Sequence, residues 1–160
     1  PPKTTNHRIN SSGIDTAEQA AQETAARFKV ALHGVSGGDR AAVRSSLAEA
    51  QVVLACAAAG KQVVSAEDLA FATRLEAAAD VNAVAPEGIA GVGVMDNAVP
   101  LAGTGAVGIG ALAVGNVKYQ TQHRMLVQMR EASRPVSLGF AEAFTTARAF
   151  LAESAAAKPT

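Results

Sequence analysis

The chain has 160 residues, of which 49% are hydrophobic and 4% aromatic, and its 14 basic residues balance 14 acidic ones. A chain of this length supports one domain with a core of its own. The zero net charge excludes the electrostatic attraction that drives binding to nucleic acid or to anionic membranes, and the lack of any run of about 18 apolar residues excludes a membrane span.

The first predicted elements are an irregular segment, a helix and a strand. Residues 1–14 are rich in Pro, Asn, Ser and Thr, which predicts irregular structure. In "DTAEQAAQETAARF", Asp15 is the expected N-cap and Glu18 completes a capping box, so a helix is predicted over about residues 16–27. The run "FKVALHG", closed by Gly34, predicts a short strand.

Helices and strands then alternate. Asp39 and Ser65 are the expected N-caps of two further helices. The run "QVVLACA", residues 51–57, is apolar without alternation, which predicts a strand buried on both faces of a parallel sheet. "LEAAADVNAV" predicts another strand. This rhythm is typical of a parallel α/β sheet, in which ligands bind beyond the carboxyl ends of the strands.

Cys56 is the single cysteine of the chain and lies in the apolar run 51–57. One cysteine forms no internal disulfide, which indicates a cytoplasmic protein. The apolar surroundings favour a small buried side chain over a nucleophile.

Eight of the 14 glycines fall between Gly88 and Gly115. Residues 84–109 show no periodicity, and a loop of this length is expected to be functional or disordered. A helix is predicted from Gly110 onward until Pro135 ends it. A final helix is predicted in "SLGFAEAFTTARAFLAESAAA", anchored by Phe140 and Phe144.

The stretch "GTGAVG" has the G-x-G-x-x-G spacing of a dinucleotide-binding loop at Gly103, Gly105 and Gly108. A true fingerprint follows the first strand, opens a helix and precedes an acidic residue by about 20 positions. Here three predicted strands come first, and His123 and Arg124 stand near the expected acidic position. We therefore expect a mobile loop beside a site, where glycines and the following helix turn offer backbone N–H groups to a ligand.

Three segments together resemble the NAD(P)-dependent methylene-tetrahydromethanopterin dehydrogenases: "ARFKV" (26–30), "DVNAVAPEGIAGVGVMD" (80–96) and "GIGALAVGNVKYQTQHRML" (108–126). In that family a G-T-G-P-V-G cofactor turn precedes the segment that "ARFKV" matches. The resemblance therefore implies the C-terminal part of the enzyme, without the pterin-binding domain, the first Rossmann strand or the phosphate loop.

The implied fold class is α/β, a partial Rossmann-type parallel sheet with flanking helices. After the irregular segment 1–14, residues 15–135 are expected to form a partial Rossmann NAD(P)-binding domain and residues 136–160 a C-terminal helix.

The resemblance also implies site residues. The loop that includes Ala57 and Ala58 is expected to run under the NADP or NAD cofactor, and the turn of Asn82, Ala83, Pro86 and Gly88 to lie near the nicotinamide. Ser12, with Arg8 nearby, stands where the family often has an Arg for the 2′-phosphate, so the choice between NAD and NADP stays open. Lys118 and His123 are expected to position a tetrahydromethanopterin-type pterin, and no metal is expected.

The implied reaction transfers a hydride from the methylene bridge of the pterin to NAD(P). Because the cation that forms is shared by two substrate nitrogens, the site must align two flat rings and needs no acid–base pair. Methylene-tetrahydrofolate is the other candidate substrate. The alternatives are a truncated, non-catalytic Rossmann-like interaction or structural module and another nucleotide-binding enzyme. A homo-oligomer without nucleic-acid or membrane partners is expected.

Overall fold

The computed structural model describes residues 5–10 and 13–157, and within them it contains six strands and five helices. The strands are β1 (His7–Asn10), β2 (His33–Ser36), β3 (Val52–Ala55), β4 (Ala77–Asp80), β5 (Asn97–Pro100) and β6 (Val107–Ile109). The helices are α1 (Ile14–Phe28), α2 (Arg40–Glu49), α3 (Ala66–Leu69), α4 (Ala111–Glu131) and α5 (Phe140–Ala156). None of these helices is both long enough and apolar enough to cross a membrane.

The strands form two sheets that share one core. In the first sheet β1 pairs with β2 in parallel. The second has the order β3-β4-β6-β5, in which β5 alone is antiparallel to its neighbour. The core joins Val35 of β2, Val43 and Leu47 of α2 and Ala78 of β4. The expected class, an α/β fold with parallel strands and flanking helices, is confirmed.

The order of the parallel strands in the two sheets can be compared with the order of a doubly wound sheet. Within the described residues, β1 pairs with no strand other than β2. In the second sheet, β3 lies at one end of the strand order and pairs only with β4. If the two sheets are placed side by side at the free edges of β1 and β3 with one position between them, the order reads β2-β1, one open position, then β3-β4-β6. The dinucleotide-binding sheet has the order 3-2-1-4-5-6. The five strands correspond to strands 2 to 6 of that order, and the open position corresponds to strand 1.

Strand β1 lies in the segment that was expected to be irregular, and that expectation is wrong for residues 7–10. These residues pair in register with His33–Ser36. The composition of the segment did not reveal the strand, because the pairing depends on a partner more than 20 residues away in the chain.

The junctions around α1 also differ from expectation. The helix begins at Ile14 after Gly13, so Asp15 lies in its first turn and no side chain caps it. It continues to Phe28, and Lys29 then adopts a left-handed conformation. The predicted strand over "FKVALHG" is therefore displaced, because its first residue still belongs to the helix.

Strand β3 is open on one face, which corrects the expectation of burial on both. Val52 and Leu54 are 59% and 68% exposed. Cys56 continues the alternation beyond the strand end and is exposed as well, so it is not the buried residue we expected. Ala55, on the opposite face, is buried against the core. The cause is that the described residues leave this side of β3 largely uncovered.

The predicted N-caps of α2 and α3 are confirmed. The Asp39 carboxylate accepts hydrogen bonds from the amides of Ala41 and Ala42. Ser65 and Asp68 form a reciprocal capping box, although α3 has only four residues and is shorter than predicted. The fully buried Asp68 also pairs with Arg40 and Arg44, which joins α2 to α3.

The glycine-rich stretch contains two strands instead of one long loop. Gly103 and Gly105 lie in the connection between the antiparallel strands β5 and β6, and Gly108 lies within β6. Pro100 closes β5 at the sheet edge, where a residue without an N–H is tolerated. The motif therefore has no strand–turn–helix context, as its surroundings in the sequence predicted.

Helices α4 and α5 pack together as a hairpin, at the predicted positions. The Arg124 guanidinium makes two hydrogen bonds to the Glu153 carboxylate, at 3.0 and 2.7 Å. Phe140 and Phe144 stack on each other but are 68% and 55% exposed, so they do not anchor α5 in the core as expected. Phe140 contacts Phe28 instead, with a ring-centroid separation of 5.8 Å.

Candidate functional site

The carboxyl ends of β3, β4 and β6 meet at one edge of the larger sheet, because these strands are parallel and adjacent. Residues 56–60 follow β3, residues 81–88 follow β4, and α4 begins directly after β6. Open parallel sheets bind ligands at this edge. We refer to residues 56–60 and 81–88 as the two strand-end loops.

Asp80, the last residue of β4, holds the second strand-end loop through its carboxylate. The residue is 1% exposed. Its Oδ1 accepts a hydrogen bond from the Asn82 amide at 2.9 Å, and its Oδ2 accepts from the amides of Gly88 at 2.5 Å and Ile89 at 3.1 Å. Both carboxylate oxygens therefore accept hydrogen bonds from backbone amides. One side chain thus holds both ends of the loop, at Asn82 and at Gly88 and Ile89.

Asn82 links the two strand-end loops to each other. Its Oδ1 accepts hydrogen bonds from the Gly60 amide at 3.2 Å and the Val84 amide at 3.0 Å. Its Nδ2 donates to the Pro86 carbonyl at 2.9 Å. Because Asn82 is 5% exposed and these bonds are all internal, the side chain serves the loops. Its predicted contact with a cofactor stays a prediction.

The other predicted cofactor residues in the two loops differ in exposure. Ala58, Ala83 and Pro86 are exposed, and Ala57 is half-buried. Gly88 is buried, and a Cβ there would lie 2.8 Å from the Asp80 carboxylate, so only glycine fits without a shift. The structure brings these positions to one edge, where small side chains leave the backbone accessible.

The predicted site for a 2′-phosphate is not defined. Ser12 lies outside the described residues. The Arg8 guanidinium donates to the Thr24 hydroxyl at 2.7 Å and to the Ala20 carbonyl at 3.3 Å. Arg8 is therefore engaged with α1.

The entry of α4 is less open than the sequence predicted. The Gly110 amide donates to the Asp96 carbonyl at 2.8 Å, and the Leu112 amide donates to the Val94 carbonyl at 3.0 Å. A Cβ on Gly110 would overlap the backbone of Gly93 and Val94. Two of the amides expected to face a ligand are thus already satisfied within the protein.

Lys118 and His123 lie on different sides of α4. Lys118 lines an open groove of about 510 Å³ between α4 and α5, together with Val114, Val117, Thr121, Gln122, Met125, Ala143 and Ala147. His123 stacks on Tyr119, with a centroid separation of 6.2 Å. Five residues on a helix correspond to about 140° of rotation. The two side chains therefore do not converge on one point, and their contact with a substrate stays a prediction.

Asp80 is not among the predicted site residues, although it is the centre of the second loop. The signal lay in "DVN" followed by a glycine: an acid at a strand end, an amide two positions later, and Gly88 where the carboxylate needs room. Within residues 5–10 and 13–157, no three His, Cys, Asp or Glu side chains come together as a metal site.

Comparison with known proteins agrees with the motifs. No protein-family profile matches the chain. The chain is 48% identical over 121 residues to the NAD(P)-dependent methylenetetrahydromethanopterin dehydrogenase of Methylorubrum extorquens, which covers 76% of this chain and 41% of that protein. It is 28% identical over 123 residues to the bifunctional protein MdtA of the same organism, which covers 77% and 42%. The resemblance predicted from the motifs is confirmed, and the chain spans about two fifths of the length of each relative.

Proposed function

We propose that this chain forms the NAD(P)-binding part of an oxidoreductase that transfers a hydride from methylene-tetrahydromethanopterin to NAD or NADP. The observation that carries the proposal is the 48% identity over 121 residues to an enzyme of that name. The strand order supports it, because the two sheets, when placed side by side at β1 and β3, follow the order of a dinucleotide-binding sheet at five of its six positions.

In this proposal, a strand from the part of the whole enzyme that lies outside this chain fills the open position between β1 and β3. The free edges of both strands support this. The exposed Val52 and Leu54 leave one face of β3 free for a flanking helix from the same part of the protein. The "GTGAVG" stretch belongs to a hairpin, so the phosphate-binding turn also comes from that other part. The domain division at residues 15–135 and 136–160 remains part of the proposal.

The strand-end loops suit the ring end of a dinucleotide better than its phosphates. Ala58, Ala83 and Pro86 are exposed and uncharged. Lys61 is the one cation within residues 56–62 and 81–88. When bound, the nicotinamide supplies the hydride acceptor. The chain supplies a flat surface of small residues that fixes the approach of the two rings.

No proton transfer by the chain is needed in this proposal. The product cation is stabilised within the pterin, so the protein contributes alignment and exclusion of water. The Asp80 carboxylate is occupied by three amides and holds the loop in place. Lys118 is the stronger candidate for positioning the pterin, because His123 stacks on Tyr119 on another side of the helix.

The proposal is tested in a fusion enzyme in which this chain replaces the matched region of the Methylorubrum extorquens dehydrogenase. Absorbance of the reduced cofactor is followed with methylene-tetrahydromethanopterin or methylene-tetrahydrofolate as donor and with NAD or NADP as acceptor. Transfer from the methanopterin donor supports the proposal. A folded fusion enzyme that is inactive with every pair contradicts the proposal. If the fusion enzyme transfers hydride from the folate derivative alone, methylene-tetrahydrofolate replaces methylene-tetrahydromethanopterin as the proposed substrate. Cytoplasmic location and homo-oligomeric assembly stay predictions.

A further inference from the structure

The side chains of Asp80 and Asn82 connect three backbone segments at the strand-end edge. These segments are the end of β4, the second strand-end loop and the first strand-end loop. Asp80 binds the amides of Asn82, Gly88 and Ile89 within the second loop. Asn82 then binds the Gly60 amide of the first loop. Gly60 does not touch Asp80 through any of these bonds, so Asn82 is the hydrogen-bonded step between them.

We propose that Asp80 and Asn82 are positioning residues that form one clasp, through which the carboxylate of β4 sets the conformation of the loop after β3. The clasp acts on a ligand only through the backbone of the loops, because both side chains are buried and internally bonded. It makes the exposed Ala58 and Ala83 parts of one surface. The coupling itself needs no ligand, whereas its effect on hydride transfer rests on the proposed function.

The chemistry of the clasp predicts which substitutions open it. Asp80→Asn replaces one acceptor oxygen by a donor, so at least one of the amide bonds is lost. Asn82→Ala leaves Asp80 and its bonds to Gly88 and Ile89 in place but cuts the link to Gly60. Glu87→Gln is the matched control: it removes the same charge from the same loop, and no hydrogen bond to Glu87 occurs in the described structure.

Amide hydrogen exchange on the full 160-residue chain measures the coupling. Asp80→Asn is expected to accelerate exchange about tenfold at Gly88 and Ile89 and also at Gly60, which reports transmission to the other loop. Asn82→Ala is expected to accelerate exchange of the Gly60 and Val84 amides, while the Gly88 amide exchanges near the parent rate. Glu87→Gln is expected to leave all of these amides unchanged.

If Asp80→Asn accelerates Gly88 and Ile89 but leaves Gly60 at the parent rate, the coupling is wrong. If Asp80→Asn does not fold, the exchange pattern of Asn82→Ala decides alone. Equal acceleration of exchange at the Gly60 and Gly88 amides of Asn82→Ala overturns the clasp.

The functional consequence is measured in the fusion enzyme. Because the phosphates are held elsewhere in the proposed function, Asn82→Ala is expected to lower kcat about tenfold to a hundredfold while the KM for the cofactor stays near the parent value. An unchanged kcat overturns the positioning role. A parent fusion enzyme without activity overturns the proposed function, while the exchange data still decide the clasp.

Discussion

Small side chains determine how closely α1 lies against β2. Ala17 and Ala21 of the helix are almost fully buried. Opposite them, a Cβ on Gly34 would overlap the backbone of Ala17 and Glu18. Backbone atoms cannot swing aside as a flexible side chain does, so Gly34 is required for the packing of the β1–α1–β2 unit.

Gly34→Ala is therefore expected to destabilise the chain by about 1–3 kcal/mol through overpacking. Gly105→Ala is the control, because a Cβ there meets no atom within 4 Å and its φ is not positive. Urea unfolding of both variants measures the difference. Equal midpoints for Gly34→Ala and Gly105→Ala would show that α1 can move away at no cost.

Lys118 is the residue whose predicted role can be separated most clearly from cofactor binding. It lines the groove between α4 and α5 and belongs to neither strand-end loop. In the fusion enzyme, Lys118→Ala is expected to lower pterin turnover by about tenfold or more and to leave the cofactor Kd unchanged.

Arg130→Ala serves as the control for Lys118→Ala, since it removes a charge from the same helix and its ion pair is with the adjacent Glu131. A selective loss of cofactor affinity in Lys118→Ala would assign the lysine to the cofactor instead of the pterin.

At the scale of elements, the helices were predictable because their signals are local. Asp39 and Ser65 cap the helices they were expected to cap, and α4 begins directly after Gly110. The strands were less predictable because each is stabilised by distant partners. β1 is polar yet paired, and β5 and β6 lie in a stretch without periodicity.

In the candidate site, too, the features with local signals were predictable and those that depend on distant contacts were not. The edge that carries it followed from the rhythm of helices and strands, and the resemblance supplied Asn82 and Gly88. The bonds that Asp80 makes to Gly88 and Ile89 span eight and nine residues of irregular chain, which no periodicity reports. The different sides of Lys118 and His123 followed from helix geometry alone and could have been predicted.

The α4–α5 hairpin contains charged groups that make its stability depend on pH. The hydrogen bonds from Arg124 hold the pKa of Glu153 below its ordinary value of 4.5. Hydrogen bonds from the backbone amides of Glu142 itself and of Gly139 likewise lower the pKa of the Glu142 carboxyl. Because the folded pKa values are depressed, these groups stabilise the hairpin above pH 4.5, and the stabilisation is lost as the pH falls through the folded pKa values.

Glu153→Gln is therefore expected to lower the thermal midpoint at neutral pH and to reduce the loss of stability on acidification. Circular dichroism melts of parent and variant between neutral pH and the acid range measure this, and the two curves should converge at low pH. A constant difference at every pH would mean that the carboxylate charge does not contribute. Salt should weaken the effect, since the pair is at the surface.

At the scale of the whole molecule, the open position that the proposed function assigns to the sheet explains several local features together. The free edges of β1 and β3, the exposed Val52 and Leu54, and the exposed Cys56 all belong to that part of the fold. Fully burying one such aliphatic side chain is worth roughly 1.5–3 kcal/mol. A strand and helix that cover this region would gain that energy and remove two sheet edges open to aggregation.

Cys56 reports whether that face becomes covered. In the 160-residue chain its thiol is expected to react with an aromatic disulfide reagent at a rate close to that of the unfolded chain. In the fusion enzyme the same thiol is expected to react at least about tenfold more slowly, because the added segments pack over it. Equal reaction rates of the Cys56 thiol in the two proteins would show that the added segments do not cover this face.

The most direct measurement is a calorimetric titration of NADP and of NAD into the 160-residue chain and into the fusion enzyme. We predict weak, unsaturated binding to the chain alone and saturable binding of at least one cofactor to the fusion enzyme, because the proposed function assigns the central strand and its phosphate-binding turn to the segments that the fusion adds. Tight binding to the chain alone, or none to a folded fusion enzyme, would contradict it.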